Sequence, residues 1–330
     1  MKRFRREFLF LAGAAVATFA VATVAAGQGY PSRPVIMVVP YAAGGPTDTI
    51  SRIVAEGMRA SLGQPVVIEN VIGASGTIGA GRIAHASGDG YTVGMGNWST
   101  HVLNSAIFPL GYDVLKDFEP ISAIVREPLL VVGKKTIPAN DLTDLIEWLR
   151  TNPGKASFGT TGSGGALHVA GVLFQNETGT RLQLVPYRGG AGPAMHDLVA
   201  GQIDLMIDLS ASSLPQALAG SIKAYAVTAD SRLAAAPDIP TVDEAGLPGF
   251  YISNWHGLWA PKGTAKRIIA KLNAAVANSL ANPTIRARLA KLGQEIFPPE
   301  QQTPEALYTI QKAEIEKWWP IIKATGIKAE

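Results

Sequence analysis

The sequence predicts an α/β protein of two lobes, each a sheet covered by helices, with a ligand cleft between them. Three observations carry that reading. A chain of 330 residues that is 47% hydrophobic and 17% charged is long enough for two globular domains and too apolar to stay disordered. Short apolar runs alternate with helical patterns, the arrangement of a mostly parallel sheet covered by helices. Glycine-rich loops recur at strand-to-helix junctions, where open parallel sheets gather their ligands.

The elements follow in order. Residues 1–26 read as a targeting signal: a basic start (Lys2, Arg3, Arg5, Arg6), an apolar run from Phe8 to Ala26, and small residues for a peptidase, with cleavage expected near residues 25–29. Arg5-Arg6-Glu7-Phe8-Leu9 matches the twin-arginine core, while Phe4 departs from it, so both export routes stay open. A retained membrane anchor is the competing reading, and the dominance of alanine in the run weighs against it. Strands are expected at Val35–Val39, Val66–Glu69, Tyr91–Met95, Leu129–Val132, Ser157–Gly159, Leu182–Pro186, Ile203–Ile207 and Ile222–Val227. Ile50, Ile53, Val54, Met58 and Leu62 share one helical face, opened by Thr47 and Asp48 and stopped by Gly63. Further helices are expected at Leu142–Thr151, Ala166–Glu177, Pro193–Ala200, Lys266–Ala281, Pro283–Leu292 and Pro304–Ala324. Crossovers between lobes are placed near Glu127–Leu130 and Ser253–Gly257, giving one lobe of residues 30–130 plus 254–330 and another of 131–253.

Charge and composition exclude several function classes. The formal charge of +3 is concentrated at the N-terminus; beyond position 26 the chain carries 25 basic and 25 acidic residues, against totals of 29 and 26. That balance lacks the basic footprint of nucleic-acid binding. Without cysteine there are no disulfides, thiolate metal sites or cysteine nucleophiles.

The loops carry the chemistry. Pro40-Tyr41-Ala42-Ala43-Gly44-Gly45-Pro46-Thr47-Asp48 joins the first strand to its helix, where glycines admit a close backbone approach and a helix N-terminus offers unpaired N–H groups. An anion fits there without Lys or Arg; simple turn and cap chemistry is the alternative. The device recurs at Gly73-Ala74-Ser75-Gly76-Thr77, at Gly159 to Gly165, and at Tyr187-Arg188-Gly189-Gly190. The candidate ligand contacts are Tyr41, Ala43, Gly44, Gly45, Thr47, Asp48, Ser75, Thr77, Asn97, Thr161, Gly162, Ser163, Arg188 and Asp208. Arg188 reads as a carboxylate contact or a lobe-closing ion pair, and Asp208 as a cleft residue at a strand end.

Catalytic patterns fail. Ser75 and Ser163 lack the Gly-x-Ser-x-Gly context of a hydrolase elbow, and neither a phosphate loop nor a dinucleotide fingerprint is present. The five histidines (85, 101, 168, 196 and 256) show no metal-ligand spacing. No enzyme activity, metal or cofactor is expected.

The mature chain resembles the substrate-binding proteins of tripartite tricarboxylate transporters, the Bug family. The likeness rests on Tyr30-Pro31-Ser32-Arg33-Pro34, the Pro40 to Asp48 loop, Gly73 to Gly81, Gly162-Ser163-Gly164-Gly165 with His168, Val185 to Gly190, Gly201-Gln202-Ile203-Asp204, Pro240 to Gly246, and Ala260 to Thr264. It implies a type II periplasmic-binding-protein-like fold and a periplasmic location. It also implies a small organic carboxylate held by the first two glycine loops, partly through water, and a permease of that transporter type as partner. By motif the carry-over falls on Ala43, Gly44, Gly45, Thr47, Asp48, Ser75, Thr77, Gly162, Ser163 and Asp208. The Asp208 to Ser213 segment departs from the family's more apolar pattern. A ligand-sensing role beside a periplasmic sensor protein is the alternative function, a periplasmic hydrolase the remote one, and a monomer is expected. Within the cleft, the Gly44-Gly45 backbone and the Thr47 hydroxyl are expected to seat the carboxylate.

Overall fold

The computed structural model describes residues 29–162, 164–187 and 190–327. The expected signal, residues 1–26, and the candidates Ser163 and Arg188 lie outside them. No helix among the described residues is long and apolar enough to cross a membrane.

The chain opens with β1 (Val35–Val39), α1 (Pro46–Leu62), β2 (Val66–Asn70), α2 (Thr77–Ala84) and β3 (Thr92–Asn97). The apolar face of α1 is buried as its spacing requires: Ile50, Val54 and Met58 are wholly enclosed, and Ile53 and Leu62 nearly so. Burial of each such side chain contributes about 1.5–3 kcal/mol. The helix stops at Gly63, which takes the left-handed conformation at φ 68°. After the short α3 (Asn104–Ile107) comes β4 (Phe118–Gly133), a strand of 16 residues.

Then follow α4 (Leu142–Thr151), β5 (Ser157–Thr160), α5 (Ala166–Thr178), β6 (Gln183–Pro186), α6 (Ala191–Val199), β7 (Leu205–Leu209), α7 (Ser210–Leu218) and β8 (Lys223–Val227). The chain closes with β9 (Ser253–Pro261), α8 (Lys266–Ala281), α9 (Pro283–Lys291), β10 (Glu295–Ile296) and α10 (Pro304–Thr325).

Two sheets share one strand. In the first, β2, β1 and β3 are parallel, and β9, β4 and β10 continue it antiparallel. The second sets β7 and β8 antiparallel to β4, with β5 and β6 parallel beyond β7. The strand β4 pairs with β9 through Pro128 and with β7 from Leu129, so it leaves one sheet and enters the other at that peptide. The architecture is a two-lobed α/β clamp whose lobes are joined through β4 and β9.

Sequence pattern missed half of this connection. Phe118–Pro128 and Ser253–Pro261 carry Pro120, Arg126, Glu127, Asn254 and His256, which break apolar alternation, and β4 shifts register after Pro120 and Ala123. Both strands are long, antiparallel and central, so the sheet is mixed rather than mostly parallel. The C-terminal helices cover the first sheet: α8 packs on α1 and β4, and α10 on β4. At Gly57 of α1 an added Cβ would stand 2.1 Å from Ser279 Oγ, so α1 and α8 meet where only a hydrogen side chain fits.

Candidate ligand-binding site

A cavity of about 30 Å³ lies where the two lobes meet. Three helices begin at its wall. Gly45, Pro46 and Thr47 start α1, Ala166 and Leu167 start α5, and Gly190 and Ala191 start α6. Each has glycine at the N-cap and no side-chain cap. Three helices that begin elsewhere, α4, α9 and α10, are capped by Asp141, Asn282 and Thr303. The first intrahelical bonds of α1 and α5 are those of the Thr49 and Val169 amides. The first-turn amides before them have no partner inside the helix, and a helix start carries partial positive charge. The cleft thus presents backbone donors that glycine leaves uncapped.

Polar side chains complete the wall. Tyr41 donates to Asn97 Oδ1 at 3.2 Å, and burial raises its pKa above the usual phenol range. Asn97 Oδ1 also accepts the Thr100 amide at 3.0 Å. Thr161 Oγ1 and Asn254 Oδ1 are buried with no hydrogen-bond partner among the described residues. Both residues line the cavity.

Behind the wall stands a buried polar cluster on one face of the paired strands. Glu127 is directly opposite Asn254, and His256 lies two residues further along β9, so the three side chains project to the same side. Glu127 Oε1 accepts Asn254 Nδ2 at 3.3 Å. Its Oε2 accepts Ser210 Oγ at 3.1 Å, the Ala211 amide at 3.3 Å, and Gln294 Nε2. Burial raises the Glu127 pKa, against the pull of those donors. His256 Nε2 bonds Thr47 Oγ1 at 3.1 Å, and its Nδ1 lies 3.9 Å from Glu127 Oε1. Burial lowers the His256 pKa to about 3, so the ring is neutral.

Of the sequence candidates, Tyr41, Gly45, Thr47, Asn97 and Thr161 line the cavity. Four of the candidates have hydrogen-bond partners within the protein. The Thr47 hydroxyl is committed to His256 rather than turned wholly to a ligand. The Gly44 amide donates to Asp48 Oδ2 at 2.9 Å, so it is spent on the loop itself. Asp48 is buried, takes Arg52 Nε at 2.8 Å and Asn70 Nδ2 at 2.9 Å, and pins the loop without reaching the cavity. Burial works to raise its pKa, but those donors hold the carboxyl below its usual range. Asp208 is the last-but-one residue of β7, whose final residue, Leu209, lines the cavity, while Asp208 is buried off its wall. There Asp208 accepts Ser212 Oγ, and burial raises its pKa to about 7.

Ala43, Ser75, Thr77 and Gly162 are also off the cavity wall among the described residues. Ser75 has φ 52° and belongs to the loop facing the second lobe, its Oγ 3.6 Å from where a Cβ on Gly162 would stand. Sequence reasoning missed Ala42, Ala166, Ala191, Leu209 and Asn254 on the wall. Small or apolar residues at helix starts give little signal, and Asn254 sat inside a strand read only as a crossover. Among the described residues, no group of three or more His, Asp or Glu side chains is placed to hold a metal ion.

A family model described as the tripartite tricarboxylate transporter family receptor matches residues 50–327. The chain is 33% identical over 324 residues to Protein BugT of Bordetella pertussis, covering 98% of each. It superposes on MatC from Rhodopseudomonas palustris with bound malate at TM-score 0.85 and 39% identity, over 89% of this chain and 100% of that one. Rpa4515 of R. palustris, solved with adipate, gives TM-score 0.87 at 34% identity, over 92% and 100%.

Proposed function

The chain belongs to the tripartite tricarboxylate transporter receptor family, and from that premise we propose that it captures a small organic carboxylate outside the cytoplasmic membrane for a permease of that type. It is a solute-binding protein with a periplasmic-binding fold, and its family and similar structures are binding proteins. The observation that carries the ligand reading is the convergence of three glycine-capped helix starts on one cavity. Backbone amides of Thr47, Ala166 and Ala191 surround the carboxylate, each charge-assisted hydrogen bond contributing roughly 1.5–3 kcal/mol. Malate and adipate in the two similar structures support the same class.

The cavity lies between the lobes, so the lobes part to admit a dicarboxylate and close over it. The lobes divide as residues 30–130 plus 254–330 and residues 131–253, with β4 and β9 as the hinge. The N-terminal 26 residues direct export and are removed near residues 25–29, and the mature chain works as a monomer without metal or cofactor. Mass spectrometry of the denatured, purified protein tests the reading, with calorimetry on whatever acid is released. A carboxylate that binds at one site is expected; a released ligand without any carboxylate, or an acid that does not rebind, would sink it.

A further inference from the structure

Asn254 is held in one orientation by a group outside the cavity. Its Nδ2 donates to Glu127 Oε1 at 3.3 Å, across a directly paired position of β4 and β9. Asn254 lines the cavity, and its Oδ1 is a fully buried acceptor with no hydrogen-bond partner among the described residues. A carboxylate cannot satisfy it, because an ionised carboxylate only accepts. The carboxylate's own donors are elsewhere, on the helix starts and Thr161. We infer that Asn254 is a specificity-determining residue, positioned by Glu127, that selects carboxylates bearing a hydroxyl or ammonium donor over the same acids without one. This rests on the carboxylate reading above and narrows it.

Glu127 sets the polarity of that contact. Three donors converge on Oε2: Ser210 Oγ, the Ala211 amide and Gln294 Nε2. That leaves Oε1 for Asn254, whose N–H side is turned towards it. A buried acceptor left without a partner on ligand binding weakens affinity roughly ten- to a hundredfold. Acids without the donor group lose by about that factor.

Substituting Glu127→Gln reverses the logic. The new carbonyl takes the place of Oε2 under its three donors, and the new amide nitrogen takes the place of Oε1. It then donates to Asn254 Oδ1 and to His256 Nδ1, which has no partner among the described residues and lies 3.9 Å from Oε1. Asn254 turns over and presents N–H to the cavity.

The test is isothermal calorimetry with three matched sets: succinate, malate and aspartate; glutarate, 2-hydroxyglutarate and glutamate; propionate, lactate and alanine. In the wild type, the donor-free acid of the set that fits best is expected to bind at least tenfold more weakly than its hydroxy or amino counterpart. In Glu127→Gln that ratio should fall below threefold or invert, with the circular dichroism spectrum unchanged. Asn254→Leu, which removes the acceptor without touching Glu127, should likewise erase the preference and covers the case in which Glu127→Gln does not fold. Equal binding within the best set by the wild type, or an undiminished preference in Asn254→Leu, overturns the inference while leaving the carboxylate reading intact. Failure of all nine acids, together with a co-purified ligand lacking a carboxylate, defeats the parent reading instead.

Discussion

Replacing Thr47 by Val removes one hydroxyl at nearly constant volume, and the structure says where the loss is felt. The hydroxyl bonds His256 Nε2 at 3.1 Å, and both residues are buried. His256 Nδ1 already lacks a hydrogen-bond partner among the described residues. Valine therefore leaves a neutral imidazole with both ring nitrogens unsatisfied inside the protein. A buried polar atom deprived of its partner costs about 1–3 kcal/mol. For a chain of this length the melting entropy is on the order of 0.6 kcal/mol/K, so the melting temperature should fall by about 2–5 °C. Affinity for the co-purified acid should change less than threefold, because the backbone amide of residue 47 is unaltered. Thermal denaturation followed by circular dichroism, with calorimetry on the same samples, reads both quantities. An unchanged melting temperature with a tenfold or greater loss of affinity would refute the reasoning and return the Thr47 hydroxyl to the ligand.

Gly44 has φ 80°, so Gly44→Ala should destabilise the protein by about 1–2 kcal/mol, while Gly45→Ala, at φ −77° with only the Ala42 carbonyl 3.3 Å away, should cost a few tenths; urea titrations compare them. Asp48→Ala strands the Gly44 amide and leaves Asn70 Nδ2 only the Tyr41 carbonyl, so it should lower both stability and affinity although Asp48 lies off the cavity wall; unchanged affinity in a correctly folded variant would count against the pinned-loop account. Burial depresses the pKa of His101 and His256 to about 3, against 6.5 unfolded. The unfolded chain then takes up protons first, so stability present above pH 6.5 is lost as pH falls towards 3, by at most about 5 kcal/mol per ring. Asp208, raised to about 7 from 3.8, acts with the opposite sign: its contribution is present at low pH and is lost as pH rises from about 4 to 7. Asp208→Asn should therefore be more stable than wild type at pH 8, by at most about 4 kcal/mol, and should lose more on acidification; denaturant midpoints at pH 4, 6 and 8 decide it.

The α/β class, most helices and the loops that gather at the cleft were legible because local patterns report them. The 3.6-residue spacing of Ile50, Ile53, Val54, Met58 and Leu62 is the buried face of α1, and Gly63 ends that helix. Tyr41, Gly45 and Thr47 of the Pro40 to Asp48 loop line the cavity, as does Asn97, in keeping with the convergence of strand-to-helix turns in such sheets. What stayed hidden depends on pairing between distant segments. No local pattern marks β9 as a central strand, because its Asn254 and His256 are polar and become tolerable only beside Glu127 and Thr47, more than 100 and 200 positions away. The same is true of which residue of a strand reaches the cavity: Asp208 and Leu209 differ by one step, and only the pairing of β7 with β4 and β5 sets Leu209 on its wall and Asp208 off it. Sequence alone determined which loops carry donors, because glycine and helix starts are local properties. Tertiary structure alone decided which donors are already spent, because a hydrogen bond such as Gly44 to Asp48 or Thr47 to His256 exists only once both partners are brought together.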